Sequence, residues 1–185
     1  MTNEENFKSL WQYALKFGLI YAFAVVVIDL MFFIAGVYRG DYPMIDLLVS
    51  LLTSISIIYF AMKQRRDNDF GGYSKYLEVL KTCLAVGVVS SIILALWKYV
   101  FYSFINPEEL VKEFELVKKA FLENDYFDED KKMEMINSIK EKNSPISKVY
   151  GILLSVNVYT LIVGLILSIF VQKQDPEDAY NQLDR

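Results

Sequence analysis

The chain has 185 residues, 54% of them hydrophobic, 15% aromatic and 23% charged, with a formal net charge of −4, no histidine and one cysteine, Cys83. An acidic balance without a basic stripe argues against nucleic-acid binding, and a lone cysteine without histidine excludes an intrachain disulfide and the usual Cys and His zinc sites. So apolar a chain with that much charge must segregate it: residues 108–148 hold much of the acid and eight of the nineteen Lys and Arg residues, while four other stretches are nearly charge-free, the pattern of membrane spans plus one polar insert.

The first span is predicted at 17–37, flanked by Lys16 and Arg39. The start before it, MTNEENFKSLWQYALK, mixes acids and bases and offers no A-x-A cleavage site, so it reads as leading into an uncleaved span. Within the span lies VVVIDLMFF, with Asp29 among valines and phenylalanines. Residues 17–37 include thirteen Leu, Ile, Val or Phe side chains, worth roughly −4 to −8 kcal/mol of insertion against about +3 for a central Asp, so the span inserts. Counting back from Arg39 puts Asp29 about 15 Å deep, near the middle of a hydrocarbon core about 30 Å thick. Gly18, Ala22, Val25, Asp29, Phe32 and Gly36 recur at helical spacing, so Asp29 shares a face with small residues, which let helices approach closely.

A short turn, YRGDYP, makes the second span an antiparallel neighbour. It is predicted at 43–63, opening at Pro43 and carrying Asp46, Ser50 and Ser54 on one stripe; the run KQRR is expected to end it. DNDFGGYSKY is a glycine-containing connector to a third span at 77–105. There Gly87, Ser91, Ala95 and Lys98 share a face, and Trp97, like Trp11, is expected to anchor at the interface.

At Asn106 the composition changes. Asn106-Pro107-Glu108-Glu109 is close to a capping box, with Pro at the first helical position, so a new helix starts. Leu110, Phe114, Val117 and Phe121 form its single apolar stripe. A second helix at about 128–142 has acids at its start, Lys140 and Lys142 at its end, and Met135, Ile136 and Ile139 on its apolar side. The insert, 107–143, is thus an extramembrane amphipathic hairpin turning at about 123–127. Its two stripes are expected to pack on each other, with the membrane surface, the bundle mouth or a partner as the other seats. Ser144-Pro145 ends it. The fourth span, 146–171, carries Asn157, Thr160, Gly164 and Ser168, and a polar tail, QKQDPEDAYNQLDR, follows.

Lys63, Arg65 and Arg66, with Lys75 and Lys81, favour a cytoplasmic connector between spans two and three. Both termini are then cytoplasmic and the hairpin extracytoplasmic, although the hairpin's seven lysines pull the other way.

Four spans, a short first loop, the GG connector, INPEEL opening a polar helical insert, and NSP before a last span ending VGLILSIFVQK together resemble a family of bacterial four-pass membrane proteins known only as a domain of unknown function. The resemblance runs from about Trp11 to Lys173. It implies an inner-membrane protein and carries over no catalytic or binding residue.

The polar groups within the spans are the candidate functional residues. Lys98 lies about 12 Å from the Asn106 end of a span parallel to the first, close to the expected depth of Asp29, so the two are predicted to form an intramembrane ion pair. Snorkelling of Lys98, or a protonated Asp29 hydrogen-bonded to Ser, Thr or Asn, are the alternatives. Ser54, Ser91 and Asn157 are candidate midplane polar residues, and Leu110, Phe114, Val117 and Phe121 a candidate interaction surface. Without histidine there is no Ser-His pair, and no H-E-x-x-H or G-x-S-x-G occurs, so no catalytic, cofactor or metal residue is assigned. The expectation is an all-α, four-helix transmembrane bundle with a non-enzymatic structural or assembly role, in contact with the bilayer and with a membrane-protein partner or a second copy. A small-solute, proton or cation transporter or channel subunit is the alternative.

Overall fold

A computed structural model of the protein describes residues 2–37, 42–124 and 126–173. The predicted turn residues 38–41, Arg39 among them, and the tail from 174 onward lie outside the described residues, as does the Asp46 side chain.

Thr2 starts the first helix: its hydroxyl accepts the Glu5 N–H at 3.2 Å while the Glu5 carboxylate accepts the Thr2 N–H at 2.8 Å, a reciprocal cap that satisfies two otherwise orphaned donors. Helix α1 (Asn3–Ile34) then runs for 32 residues, about 48 Å, well beyond the hydrocarbon thickness. Helix α2 (Pro43–Asp69) begins with Pro at its first turn and continues past KQRR, which therefore does not end it. Within the basic run, Arg65 reaches Asp69 at 3.7 Å one turn on, while Arg66 pairs with Asp67 and donates to the Val171 carbonyl of α6 at 2.9 Å. Gly71 and Gly72 stop the helix at φ values of 62° and 91°, a region that side chains rarely enter.

Helix α3 (Tyr76–Val100) passes into a π-helical turn, Phe101–Ile105, closed by the Asn106 N–H on the Phe101 carbonyl at 2.8 Å. Helices α4 (Glu108–Leu122) and α5 (Glu129–Lys142) form the hairpin, and α6 (Pro145–Val171) starts under a Ser144 cap at 3.2 Å. The chain is nearly all helix, with no strand among the described residues. Of these helices, four are long and apolar enough to cross a membrane: Glu4–Ile34, Leu47–Asp69, Tyr76–Ile105 and Pro145–Val171. Their outer faces expose Phe23, Leu52, Leu96 and Phe170, a surface suited to lipid rather than water.

The one-stripe picture fails for α3. Instead of burying a single face, α3 sits centrally, packed against α6, α1 and α2. Gly87 lies so close to Thr160 of α6 that a Cβ there would clash, and Gly18 of α1 would meet Val89 at 2.7 Å. Gly87 and Ser91 thus face α6, whereas Lys98, expected on the same stripe, faces α1.

The capping box expected at Asn106 is also different. Its amide donates to the Glu109 carboxylate at 2.8 Å, and no side chain caps the start of α4.

Both termini of the described chain share one bundle end with the α2 to α3 connector. Arg65 donates to Asn6, and Ser74 and Lys173 exchange backbone hydrogen bonds at 2.9 and 3.1 Å. The hairpin emerges at the opposite end.

Candidate functional site

At the hairpin end the parallel helices α1 and α3 bring Asp29 and Lys98 together, with Lys98 Nζ 2.9 Å from Asp29 Oδ2. The Trp97 indole N–H donates to the same oxygen at 2.8 Å. A carboxylate that is 2% exposed needs such partners, since an uncompensated buried charge is costly. The π-helical turn then places two rings beneath the ammonium: Lys98 Nζ lies 5.5 Å from the Phe101 centroid and 5.6 Å from that of Tyr102. Trp97 is therefore an inward donor, not an interfacial anchor.

Depth is set by α3. Ser91, which accepts the Asn157 amide at 3.0 Å, lies seven residues before Lys98, about 10 Å along the axis. The pair sits that much nearer the hairpin than the tie between Ser91 and Asn157.

Above the pair opens a cavity of about 200 Å³ lined by Asp29, Lys98, Asn106, Glu109 and Lys112 among others. Burial, foremost, pushes the Glu109 carboxyl above its usual range; Lys98 draws it back, and the carboxylates of Glu113 and Asp29 raise it again. One turn along α4, Glu113 accepts the Tyr102 hydroxyl at 2.8 Å and pairs with Lys148 at the start of α6. Leu110 is buried against Phe101 and Tyr102. Hairpin, π turn and two spans thus share one charged and aromatic joint.

The other candidates separate. Ser54, fully buried, shares a hydrogen bond of 2.5 Å with the Tyr159 hydroxyl, joining α2 to α6, while Ser91 and Asn157 join α3 to α6. These three are interhelical ties rather than a shared cluster. Of the hairpin stripe, only Leu110 is buried, and on the bundle mouth rather than on α5. Phe121 meets Phe127 at 6.3 Å between ring centroids, and Val117 is exposed. Among the described residues no group of three or more carboxylates or thiols is placed to hold a metal.

Residues 16–173 match the family described as protein of unknown function, DUF4199. The chain belongs to the DUF4199 family. No curated protein and no solved structure matches it.

Two features of this DUF4199 bundle escape sequence reasoning. Arg65, read as a topology signal on an open loop, is 1% exposed. It donates to Thr82 Oγ1 at 2.8 Å and to the Asn6 side chain, so one guanidinium ties α1, α2 and α3 together. Lys132, 6% exposed, donates to Glu129 at 2.8 Å and to the last carbonyl of α4, Leu122, at 3.4 Å, closing the hairpin tip. Nothing in residue spacing separates these buried cations from solvated ones.

Proposed function

We propose that this DUF4199 protein is a membrane-embedded interaction or assembly factor, without enzymatic activity, whose four spans form a firm base for the hairpin. Glu113 carries this reading: bound to Tyr102 of the π turn and to Lys148 of α6, it fastens α4 to the bundle and leaves Val111, Leu116 and Val117 exposed. A fastened helix with exposed apolar side chains suits a membrane-protein partner or a second copy, because little ordering entropy is lost on docking. Close helix approach at Gly87 and Gly18, and the hydrogen bonds of Ser54 with Tyr159 and of Asn157 to Ser91, further support a structural rather than a conducting mid-section.

The setting we infer is a bacterial inner membrane, with the termini cytoplasmic and the hairpin outside; Lys63, Arg66, Lys75 and Lys81 at the terminal end support that sidedness. Native Cys83 is fully buried, so a new cysteine at Tyr126 reports alone. It should label from outside intact cells, and labelling only after permeabilisation would reverse the orientation.

Transport is the second reading, favoured by the cavity that reaches Asp29. Photoreactive residues at Val111 and Val117 in native membranes distinguish the two. A discrete adduct with one protein or a second copy supports the interaction role, and adducts with lipid alone remove it.

A further inference from the structure

At the terminal end, away from the hairpin, α1 and α2 frame two adjoining cavities of about 530 and 390 Å³ that share Lys16, Gln64 and Asn68. The larger is lined by residues with polar ends, Lys8 and Gln12 among them; the smaller adds Lys63 and the rings of Phe17 and Phe60. Phe60 is 59% exposed on the outer surface of α2, so this side opens where lipid chains run. Lys16 immediately precedes the uncharged stretch 17–28 of α1 and Lys63 immediately follows the uncharged stretch 47–62 of α2, which puts both ammonium groups at the edge of the hydrocarbon.

The neighbouring acids are engaged elsewhere. Asp67 holds Arg66 at 2.6 Å, Asp69 accepts Ser9 and faces Arg65, and Glu5 caps the start of α1. Lys16 rests 5.1 Å from the Phe17 centroid and donates to Gln64 Oε1 at 3.0 Å. Among the described residues, no carboxylate lies within ion-pair distance of Lys8, Lys16 or Lys63. Three ammonium groups without anionic partners, beside aromatic rings on the lipid side, match one chemistry: a phosphodiester with acyl chains.

We propose that this groove binds an anionic phospholipid, its phosphate held by Lys16 and Lys63 and one acyl chain lying over Phe17 and Phe60. The site is independent of the hairpin and of whatever the hairpin binds.

The test is native mass spectrometry of the full chain in detergent, titrated with palmitoyl-oleoyl phosphatidylglycerol, with the phosphatidylcholine analogue, and with inorganic phosphate as competitor. Phosphatidylglycerol should bind in preference, and Lys16→Gln with Lys63→Gln should weaken it roughly 30-fold, a factor of about five for each lysine. Lys140→Gln with Lys142→Gln, which removes equal charge from the hairpin, should leave binding unchanged. Equal binding of the two lipids, an equal loss in the hairpin control, or full displacement by phosphate at the lipid's own concentration would overturn the assignment. A second measurement needs no variant: phosphatidylglycerol with a photoreactive acyl chain should form adducts on peptides containing Phe17 and Phe60, and adducts confined to α3 or α6 would count against it.

Discussion

Asp29 on α1 and Lys98 on α3 meet at 2.9 Å with side chains 1% and 12% exposed. Removing either partner leaves the other charge buried, which costs about 3–5 kcal/mol, whereas replacing both with apolar groups of similar volume is close to neutral. Asp29→Leu and Lys98→Met should therefore each destabilise the bundle strongly, and the double variant should recover most of the loss. Unfolding titrations in mixed micelles measure the cycle. Additive losses would mean that the two groups are not coupled.

Gly87 and Gly151 make opposite predictions for the same substitution. A Cβ at Gly87 runs into Thr160, whereas one at Gly151 meets nothing within 4 Å. Gly87→Ala should cost about 1–3 kcal/mol through overpacking of α3 on α6. Gly151→Ala should be neutral or stabilising by up to about 1 kcal/mol, since Ala is the better helix former. Equal thermal stability of the two variants would contradict the close approach.

Glu109 should make the hairpin joint pH-dependent. Its carboxyl is raised, mainly by burial. A raised carboxyl contributes stability below its unfolded value and loses it as pH rises through the folded one. The joint should be firmest in mild acid and loosen as pH climbs above the usual glutamate range. Hydrogen exchange of α4 amides, compared between the wild type and Glu109→Gln, isolates this group. A difference that stays flat with pH, or grows toward acid, would be contrary.

Arg65 should not tolerate lysine. Its guanidinium donates to Thr82 and Asn6 and lies 3.7 Å from Asp69 in a fully buried position, and an ammonium has no fork to replace the two hydrogen bonds. Arg65→Lys should lower stability by about 2 kcal/mol, since hydrogen bonds to a charged group are the strong ones. Hydrogen exchange at Ser74 and Lys173 should rise with it, because Arg65, through Asn6, and these residues close the same end.

Much of the fold was legible because membrane spans announce themselves by length and hydropathy, and the Gly71 and Gly72 connector and the Ser144 and Pro145 helix start follow local rules. The meeting of Asp29 with Lys98 followed from counting residues along parallel helices. What spacing could not supply was rotation and register in three dimensions. α3 is central, so its small residues serve α6 while Lys98 serves α1. The π turn changes the phase at Phe101, which carries Tyr102 to Glu113. Arg65 looks like a surface charge until Thr82 and Asn6 are in place, Lys132 until the hairpin brings the Leu122 carbonyl back to it, and Trp97 looks like an anchor until Asp29 is beside it.

The most direct test of a structural pair, as against a conduit, is proton and monovalent-cation flux in liposomes containing the wild type or Asp29→Asn, measured alongside folded yield. A structural pair predicts a lower folded yield for Asp29→Asn and no flux above empty liposomes for either protein. Flux through the wild type that Asp29→Asn abolishes at undiminished yield would contradict it and make Asp29 part of a transport path.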